Sequence, residues 1–309
     1  MNAFMGVSRL LGYGSPKQLA NRRAMALYQE LCVNKADEEI QFWQQECDLP
    51  PTLQSWFNIT NLHVWLLTVR LRALPPPHGT NHIQGLVDIF FMDVEDRIRA
   101  ILQPKTFEKS QREPPVSAFY PNRRRDDPPE VGVTENSTGN SGRKNAPETL
   151  ITRHMKIFRE QYAGLGMAMD LGLVKGDAEL AGAIWRNFLG ARGARGIVYE
   201  EDHDPLGPQT AFRRSVNPLG SDVKKISGDL AKLEAAETQD DLSGVHDYAP
   251  ADADKYLAYP GLMKTLATYV RKELVRLGKL SDAQVMGPTQ PGKEFEGVRP
   301  LKFGHVKEH

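Results

Sequence analysis

The hydrophobic and polar positions of residues 51–74 follow the spacing of one long, buried helix. No charged residue occurs between Leu49 and Val69. Apolar side chains recur every three or four residues, as on one face of a helix, at Leu53, Trp56, Phe57, Leu62, Trp65, Leu66 and Val69. A helix that is apolar on most of its surface is either the centre of a bundle or a membrane span. The stretch is long enough to span a bilayer, which takes about 20 residues, but polar residues interrupt it at Gln54, Asn58, Asn61 and His63. We therefore expect the buried central helix of a bundle.

The same spacing predicts helices along most of the chain, and no strand alternation of useful length interrupts them. Their approximate bounds are 16–34, 36–49, 51–74, 79–103, 150–174, 177–189, 222–237 and 254–277. Ser15 and Pro16 predict an N-cap followed by proline in the first helical turn, Asp177 is another expected N-cap, and Pro260 should kink or delay the last helix. The repeat of Gly164, Ala168 and Gly172 predicts a close approach by another backbone. The fold class expected is all-α.

Two proline- and polar-rich stretches interrupt the helical pattern, and we expect them to be long loop-rich inserts in a single helical bundle domain. Such composition buries too little apolar surface to order itself. The predicted organisation is a basic N-terminal helix at 1–34, a helical core at 35–103, 150–192 and 254–280, a flexible insert at 104–149, a loop-rich insert at 193–253 and an extended tail at 281–309.

The composition of the chain indicates its cellular compartment but says little about its activity. Lysine plus arginine equals aspartate plus glutamate at 39 each, and the sequence pI is about 7.1, so overall charge does not indicate a nucleic-acid partner. The only two cysteines, Cys32 and Cys47, fall in helical patterns and are expected to be reduced, buried thiols. The first 29 residues contain arginine and lysine but no acidic residue, which is compatible with a mitochondrial transit segment or its remnant.

Candidate catalytic and metal-binding residues form no convincing constellation in the sequence. Glu200 and His203 have the Glu-x-x-His spacing of a di-iron bundle, but they lie in a loop and the second such motif is missing. His63 on the central helix is either a hydrogen-bonded core residue or a catalytic base, and the sequence does not separate the two. The acidic residues around Asp93 are most simply a solvated helix face. GLGMAMDLG has glycines but neither follows a strand nor matches a dinucleotide-binding motif. We therefore expect neither an enzyme nor a cofactor.

Two features could carry binding to a macromolecule. The first is a set of aromatic and methionine side chains, most of them expected in the core: Phe90, Phe91, Met92, Met167 and Met169. The second is a set of basic clusters that could meet RNA phosphates or anionic lipid: Arg70 and Arg72, Arg123 to Arg125, Arg192 and Arg195, and Arg271 and Lys272. At helix ends, arginine can instead interact favourably with the helix dipole.

Four segments resemble one known family. They read SWFNITNLHVWLLTVRLRAL, DIFFMDVEDRIRAIL, YAGLGMAMDLGLVKGDAELAGAIWRNFLG and LMKTLATYVRKELVRL. In this order they resemble the ubiquinol–cytochrome c chaperone family, whose members are mitochondrial assembly factors of respiratory complex III. The resemblance covers about 36–103, 150–192 and 256–277, and the long inserts and basic first helix are similar to its fungal branch. A full transit peptide is missing, so we expect a truncated chain or one that begins close to the mature end.

The resemblance implies a non-catalytic chaperone without cofactor or metal, on the matrix side of the mitochondrial inner membrane. The implied partners are newly made cytochrome b, a small assembly-factor protein, the mitochondrial ribosome with its protein and possible rRNA contacts, and the membrane surface. A chaperone of a membrane protein needs an apolar surface, and a ribosome-bound one needs cationic contacts. We expect apolar or packing roles for Trp56, Trp65, Phe91 and Trp185, and charged contacts for Arg70, Arg72, Arg97, Arg99 and Arg186.

Two other classes of protein are compatible with the sequence. The alternative function is a helical lipid- or quinone-binding peripheral membrane protein, favoured by the small residues from Gly164 to Gly172, and it predicts a deep apolar pocket. An enzyme that uses His63 or the acidic cluster at Asp93 predicts polar groups gathered inside a cleft.

Overall fold

The structure, a computed structural model, describes residues 15–104, 113–121, 146–194, 196–197, 199, 245–290 and 292–307. The α-helices in these ranges are α1 (Pro16–Leu31), α2 (Lys35–Glu38), α3 (Leu53–Arg72), α4 (His78–Leu102), α5 (Glu148–Lys175), α6 (Asp177–Phe188), α7 (Tyr259–Gly278) and α8 (Asp282–Met286). A π-helix, Gln41–Glu46, and the 3-10 helices Pro250–Ala258 and Arg299–Leu301 complete the elements. These ranges contain no strand, so the predicted all-α class is confirmed.

The centre of the fold is α3, as the hydrophobic pattern predicts. Of its 20 residues, 16 are buried, because α2, α4, α5, α6 and α7 all pack against it. The Thr52 side chain caps its first turn by accepting a hydrogen bond from the Ser55 backbone N–H. In the part of the chain that the structure describes, no helix is long and apolar enough to cross a membrane. The burial of 16 of its residues makes α3 the core helix of the bundle.

Helix boundaries agree with most of the local sequence signals and correct one of them. Ser15 caps α1 by accepting a hydrogen bond from the Gln18 backbone N–H, and Pro16 occupies the first helical position. Asp177, predicted as an N-cap, is instead the first residue of α6, and Gly176 with φ of 114° takes the cap position. Pro260 lies in the first turn of α7, which begins at Tyr259 rather than near Asp254 because the 3-10 helix Pro250–Ala258 precedes it. The predicted delay of the last helix is therefore confirmed, and the helix has no kink at this proline.

A close helix crossing explains part of the small-residue repeat. A Cβ added at Gly172 of α5 would lie 2.7 Å from the Cα of Leu180 on α6, so only glycine allows the two helices to approach this closely. At Gly164 a Cβ would meet no atom of the described residues within 4 Å. The predicted close approach therefore occurs at one end of the repeat, and no described residue covers the other end.

Segments predicted to be flexible or extended pack onto the helical core where the structure describes them. Phe119 and Tyr120, within the first insert, are buried, and the Ser117 hydroxyl donates to Asp37. The prediction of a structureless insert is therefore wrong for 113–121. The tail from 281 is likewise not simply extended, because it forms α8 and a 3-10 turn and buries apolar side chains. The predicted helix at 222–237 and most of both inserts lie outside the described residues.

Candidate functional site

The predicted aromatic residues pack inside the protein rather than forming a surface patch. Trp56 and Trp65 on α3 and Phe91 on α4 are buried, and Trp185 on α6 is partly buried. The Trp65 indole donates to Asp170 of α5 at 2.9 Å, and the Trp185 indole donates to a backbone carbonyl. These contacts agree with a packing role, and they leave little of the rings for a partner to reach.

Two of the five predicted charged contacts, Arg97 and Arg70, belong to the core, which corrects the sequence prediction. Arg97 is 3% exposed and donates to Asp93 one turn earlier on α4 and to the Tyr120 hydroxyl. Its guanidinium also lies 3.9 Å from the centre of the Trp56 ring, as a cation–π pair. Arg70 donates to two backbone carbonyls and forms an ion pair with Asp282. Because both guanidinium groups are buried and internally bonded, they are not available to a partner.

The other three predicted arginines remain at the surface, each in an ion pair. Arg72 pairs with Asp170, which also binds Trp65; Arg99 pairs with Glu95 and Glu148; Arg186 pairs with Glu179. The structure thus brings Trp56 together with Arg97, and Trp65 together with Arg72, but it does not gather the nine residues into one site. Arg192 is buried, and Arg123 to Arg125 and Arg195 lie outside the described residues.

His63, the candidate catalytic base, is fully buried in the core. Its Nδ1–H donates to the Ile59 carbonyl at 2.7 Å, and its Nε2 accepts a hydrogen bond from the Tyr269 hydroxyl at 2.9 Å. Burial lowers the pKa of His63 to about 3, because a charged imidazole would lose its hydration there. The ring is therefore neutral near pH 7, uses both nitrogens internally and is closed to a substrate.

The ranges that the structure describes contain no candidate metal centre, and a surface pocket lies beside the π-helix. Within them, no group of three or more His, Cys, Asp or Glu side chains could hold a metal ion, and Glu200–His203 lies outside them. A pocket of about 520 Å³ borders the π-helix and α7, and Glu46, Asp48, Lys255 and Lys307 line it. The lining also contains apolar side chains such as Tyr248 and Leu262, so the pocket by itself favours neither a polar ligand nor the apolar tail of a lipid or quinone.

An uncharged apolar surface lies on the solvent side of α5, and we call it the α5 face: Ala163, Gly164, Met167, Leu171 and Val174. Its three large side chains, Met167, Leu171 and Val174, are 63%, 41% and 86% exposed. They are four and three residues apart, so they project from one side of the helix. The opposite side of α5 is buried, through residues such as Phe158 and Leu165. Helix α5 therefore has one apolar stripe that faces the core and a second that faces solvent.

A basic surface lies on the solvent side of α7 and just beyond its end, and we call it the α7 face: Lys264, Lys272 and Lys279. All three lysines are exposed. They are eight and seven residues apart, close to two helical turns each, so they share one side of the helix axis. Arg271 extends the positive charge of this side but is paired with Asp177. The arrangement suits an extended anionic partner better than a single small anion.

Sequence reasoning named only some residues of these two surfaces. The sequence pattern places Met167 among the methionines expected in the core and Lys272 in a basic cluster, but it does not single out Leu171, Val174 or Lys264. A signal was present: positions 167, 171 and 174 lie off the apolar stripe that runs through Ile151, Met155, Phe158, Tyr162 and Leu165. A helix with two apolar stripes must leave one of them uncovered or meet a second partner.

Comparison with known proteins identifies one family. The sequence profile of the family described as Ubiquinol-cytochrome C chaperone matches residues 45–120 and 135–210. Protein CBP3, mitochondrial, of Saccharomyces cerevisiae is 32% identical over 53% of this chain and 37% of its own length. Ubiquinol-cytochrome c reductase complex assembly factor 1 of Homo sapiens is 25% identical over 61% of this chain and 49% of its own length.

The chain thus spans about half or less of the length of these two relatives. No solved structure matches it. The profile covers the central helix α3 and the helices α4, α5 and α6, which pack against it, and α5 carries the α5 face. On this match, the chain belongs to the ubiquinol–cytochrome c chaperone family.

Proposed function

We propose that this chain is a non-enzymatic assembly chaperone of respiratory complex III that binds newly synthesised cytochrome b through the α5 face. The observation that carries the proposal is the exposure of Met167, Leu171 and Val174 on a helix whose other side is packed in the core. The family and the names of the relatives support the same role. Cytochrome b is a membrane protein, so its helices expose apolar side chains in water before insertion.

The size of the α5 face fits reversible binding rather than permanent assembly. Full burial of a Val, Leu or Met side chain contributes about 1.5–3 kcal/mol. Scaled by the exposed fractions of its three large side chains, the α5 face would contribute on the order of 3 kcal/mol. A tenfold change in affinity corresponds to about 1.4 kcal/mol, so this surface would raise affinity by roughly a factor of 100. A chaperone that must release its client needs a contribution of this modest size.

The α7 face is the surface that we assign to the mitochondrial ribosome. Exposed lysines on one side of a helix can neutralise RNA phosphates, and the affinity of such contacts falls steeply with salt. Arg72 and Arg186 are exposed and Arg99 is half-buried, and we propose all three as further charged contacts. Binding of a small assembly-factor protein and peripheral contact with the matrix side of the inner membrane belong to the same proposal.

The test is one charged substitution on the α5 face and a matched one elsewhere. Met167→Glu places a carboxylate in the middle of the face, and Met92→Glu changes an equally exposed methionine, 67% against 63%, on α4. In mitochondria that lack the natural protein, each full-length variant is expressed and newly made cytochrome b is recovered with it. Met167→Glu should recover at least tenfold less cytochrome b and restore less complex III, whereas Met92→Glu should behave as the unchanged protein.

Equal recovery of cytochrome b by the two variants would remove the α5 face from the proposal. Normal complex III in cells that lack the protein altogether would end the proposed function itself. For the α7 face, changing Lys264 to Gln should reduce the dependence of ribosome binding on salt, with a slope of log affinity against log salt lower by about 1.

A further inference from the structure

The C-terminal segment 281–307 crosses the helical core as a strap, and we use that name for it. It contains one short helix, α8, and one 3-10 turn, and little other regular structure. Its buried apolar side chains are Val285, Val298, Leu301, Phe303 and Val306. The Phe303 ring lies 5.0 Å from the buried His63 ring of α3, edge to face. The strap therefore covers part of the central helix that the other helices leave open.

The first anchor of the strap is Arg23 on α1. This side chain is 2% exposed, and its guanidinium donates to four backbone carbonyls of the strap: Gln284, Val285, Glu294 and Glu296. A Cβ added at Gly287, whose φ is 69°, would lie 2.6 Å from the guanidinium carbon. The backbone of the strap therefore lies close around the Arg23 guanidinium. Carbonyl oxygens of the strap, rather than a carboxylate, take the place of the water molecules that would otherwise hydrate this cation.

The second anchor is formed by three buried charged side chains near the end of the strap. Lys35 of α2 donates to the Gly304 carbonyl at 3.2 Å, and it is ion-paired with Glu39. Glu39 accepts the Val306 N–H at 2.8 Å, and Glu273 of α7 accepts the Gly304 N–H at 3.2 Å. Both anchors bind the backbone of the strap and not its side chains.

This mode of attachment distinguishes the strap from the helices. A helix satisfies its backbone hydrogen bonds within itself, whereas much of the backbone of the strap is satisfied by side chains of other elements. Loss of Arg23 therefore frees four strap carbonyls at once and leaves the helical hydrogen bonds in place. Segments that are attached in this way open locally at a lower free-energy cost than global unfolding requires.

We propose that the strap detaches from the helical core as a unit while the helices remain folded, and that Arg23 controls this opening. Opening uncovers the apolar side of α3 at His63, where Phe303 packs in the closed state. The core then presents a second apolar surface, distant in sequence from the α5 face and regulated by the strap of the chain itself. The inference does not depend on which client the protein binds.

The first test is hydrogen exchange of the unchanged full-length protein, followed by mass spectrometry at increasing urea below the unfolding transition. Amides at 301–306 should exchange at least tenfold faster than buried amides of α3, with a weaker dependence on urea. Exchange of the strap and of α3 through the same opening, with one rate and one urea dependence, would overturn the proposal.

The second test compares two neighbouring arginines of α1. Arg23→Met removes the first anchor and keeps a long apolar side chain, whereas Arg22→Met changes a half-buried arginine next to it as a control. Arg23→Met should speed exchange at 301–306 at least tenfold and leave α3 within twofold, and Arg22→Met should change neither. Unchanged strap exchange in Arg23→Met, or equal acceleration in α3, would show that Arg23 does not control a separate opening.

Discussion

Replacement of Arg97 by methionine should destabilise the protein far more than the same change at Arg99, two residues away on the same helix. Arg97 is buried, bound to Asp93 and Tyr120 and stacked on Trp56. Its removal leaves the Asp93 carboxylate in a mostly buried site with the Tyr28 hydroxyl as its remaining donor. Breaking a buried pair by removing one partner costs about 3–5 kcal/mol, and we expect about 3 kcal/mol because Asp93 keeps some exposure.

Arg99 provides the matched control because its partners are at the surface. Glu95 and Glu148 are both well exposed, and exposed ion pairs contribute about 0–1 kcal/mol. The assay is urea unfolding followed by circular dichroism, with the free energy of unfolding extrapolated to zero urea. Adding Asp93→Asn to Arg97→Met should recover part of the loss, since the unpaired charge is then gone. Losses that agree within about 0.5 kcal/mol for Arg97→Met and Arg99→Met would refute the assignment of Arg97 to the core.

Three further outcomes follow from the packing. Because burial lowers the pKa of His63 to about 3, the unfolded chain binds a proton at this histidine more strongly than the folded one, and stability falls as the pH drops below about 6.5. In the variant His63→Gln, the free energy of unfolding lost between about pH 7.5 and 5.5 should be smaller by about 1.4 kcal/mol. Urea unfolding at both pH values measures this difference. Gly172→Ala should destabilise by about 1–3 kcal/mol through its contact with α6, whereas Gly164→Ala on the same helix should stabilise by up to about 1 kcal/mol. Burial raises the pKa of the Cys32 and Cys47 thiols, so both should react with a thiol reagent at the rate of protein opening, and faster reaction in native buffer would contradict their burial.

The positions of the helices could be predicted because apolar residues recur every three or four positions. A helix places residues with this spacing on one side, where they can be buried together. The buried arginines could not all be recognised in the same way. Arg97 has its partner Asp93 one turn away, which the sequence shows, but Arg70 is bound by Asp282, more than two hundred residues further along the chain. A basic residue at the end of an apolar helix is compatible with a surface contact or a buried pair, and only the tertiary partner decides between them.

The inserts and tail show a second limit of sequence reasoning. Prolines and polar residues mark where helices end, but they do not tell whether the chain beyond packs on the core. Phe119 and Phe303 lie in such segments and are nevertheless buried. Conversely, the α5 face consists of ordinary helical apolar residues, and its exposure depends on which neighbours are present. The spacing of apolar residues predicts where a helix forms, whereas the packing of the whole bundle decides which side of that helix stays exposed.

The most direct test of the proposed function is site-specific photocrosslinking during mitochondrial translation. A photoreactive amino acid replaces Leu171 on the α5 face or, as the control, Met92 on α4, both in the full-length protein. The account predicts a crosslink to newly made cytochrome b from position 171 and none, or a much weaker one, from position 92. Crosslinks of equal strength from both positions, or from position 92 alone, would contradict it.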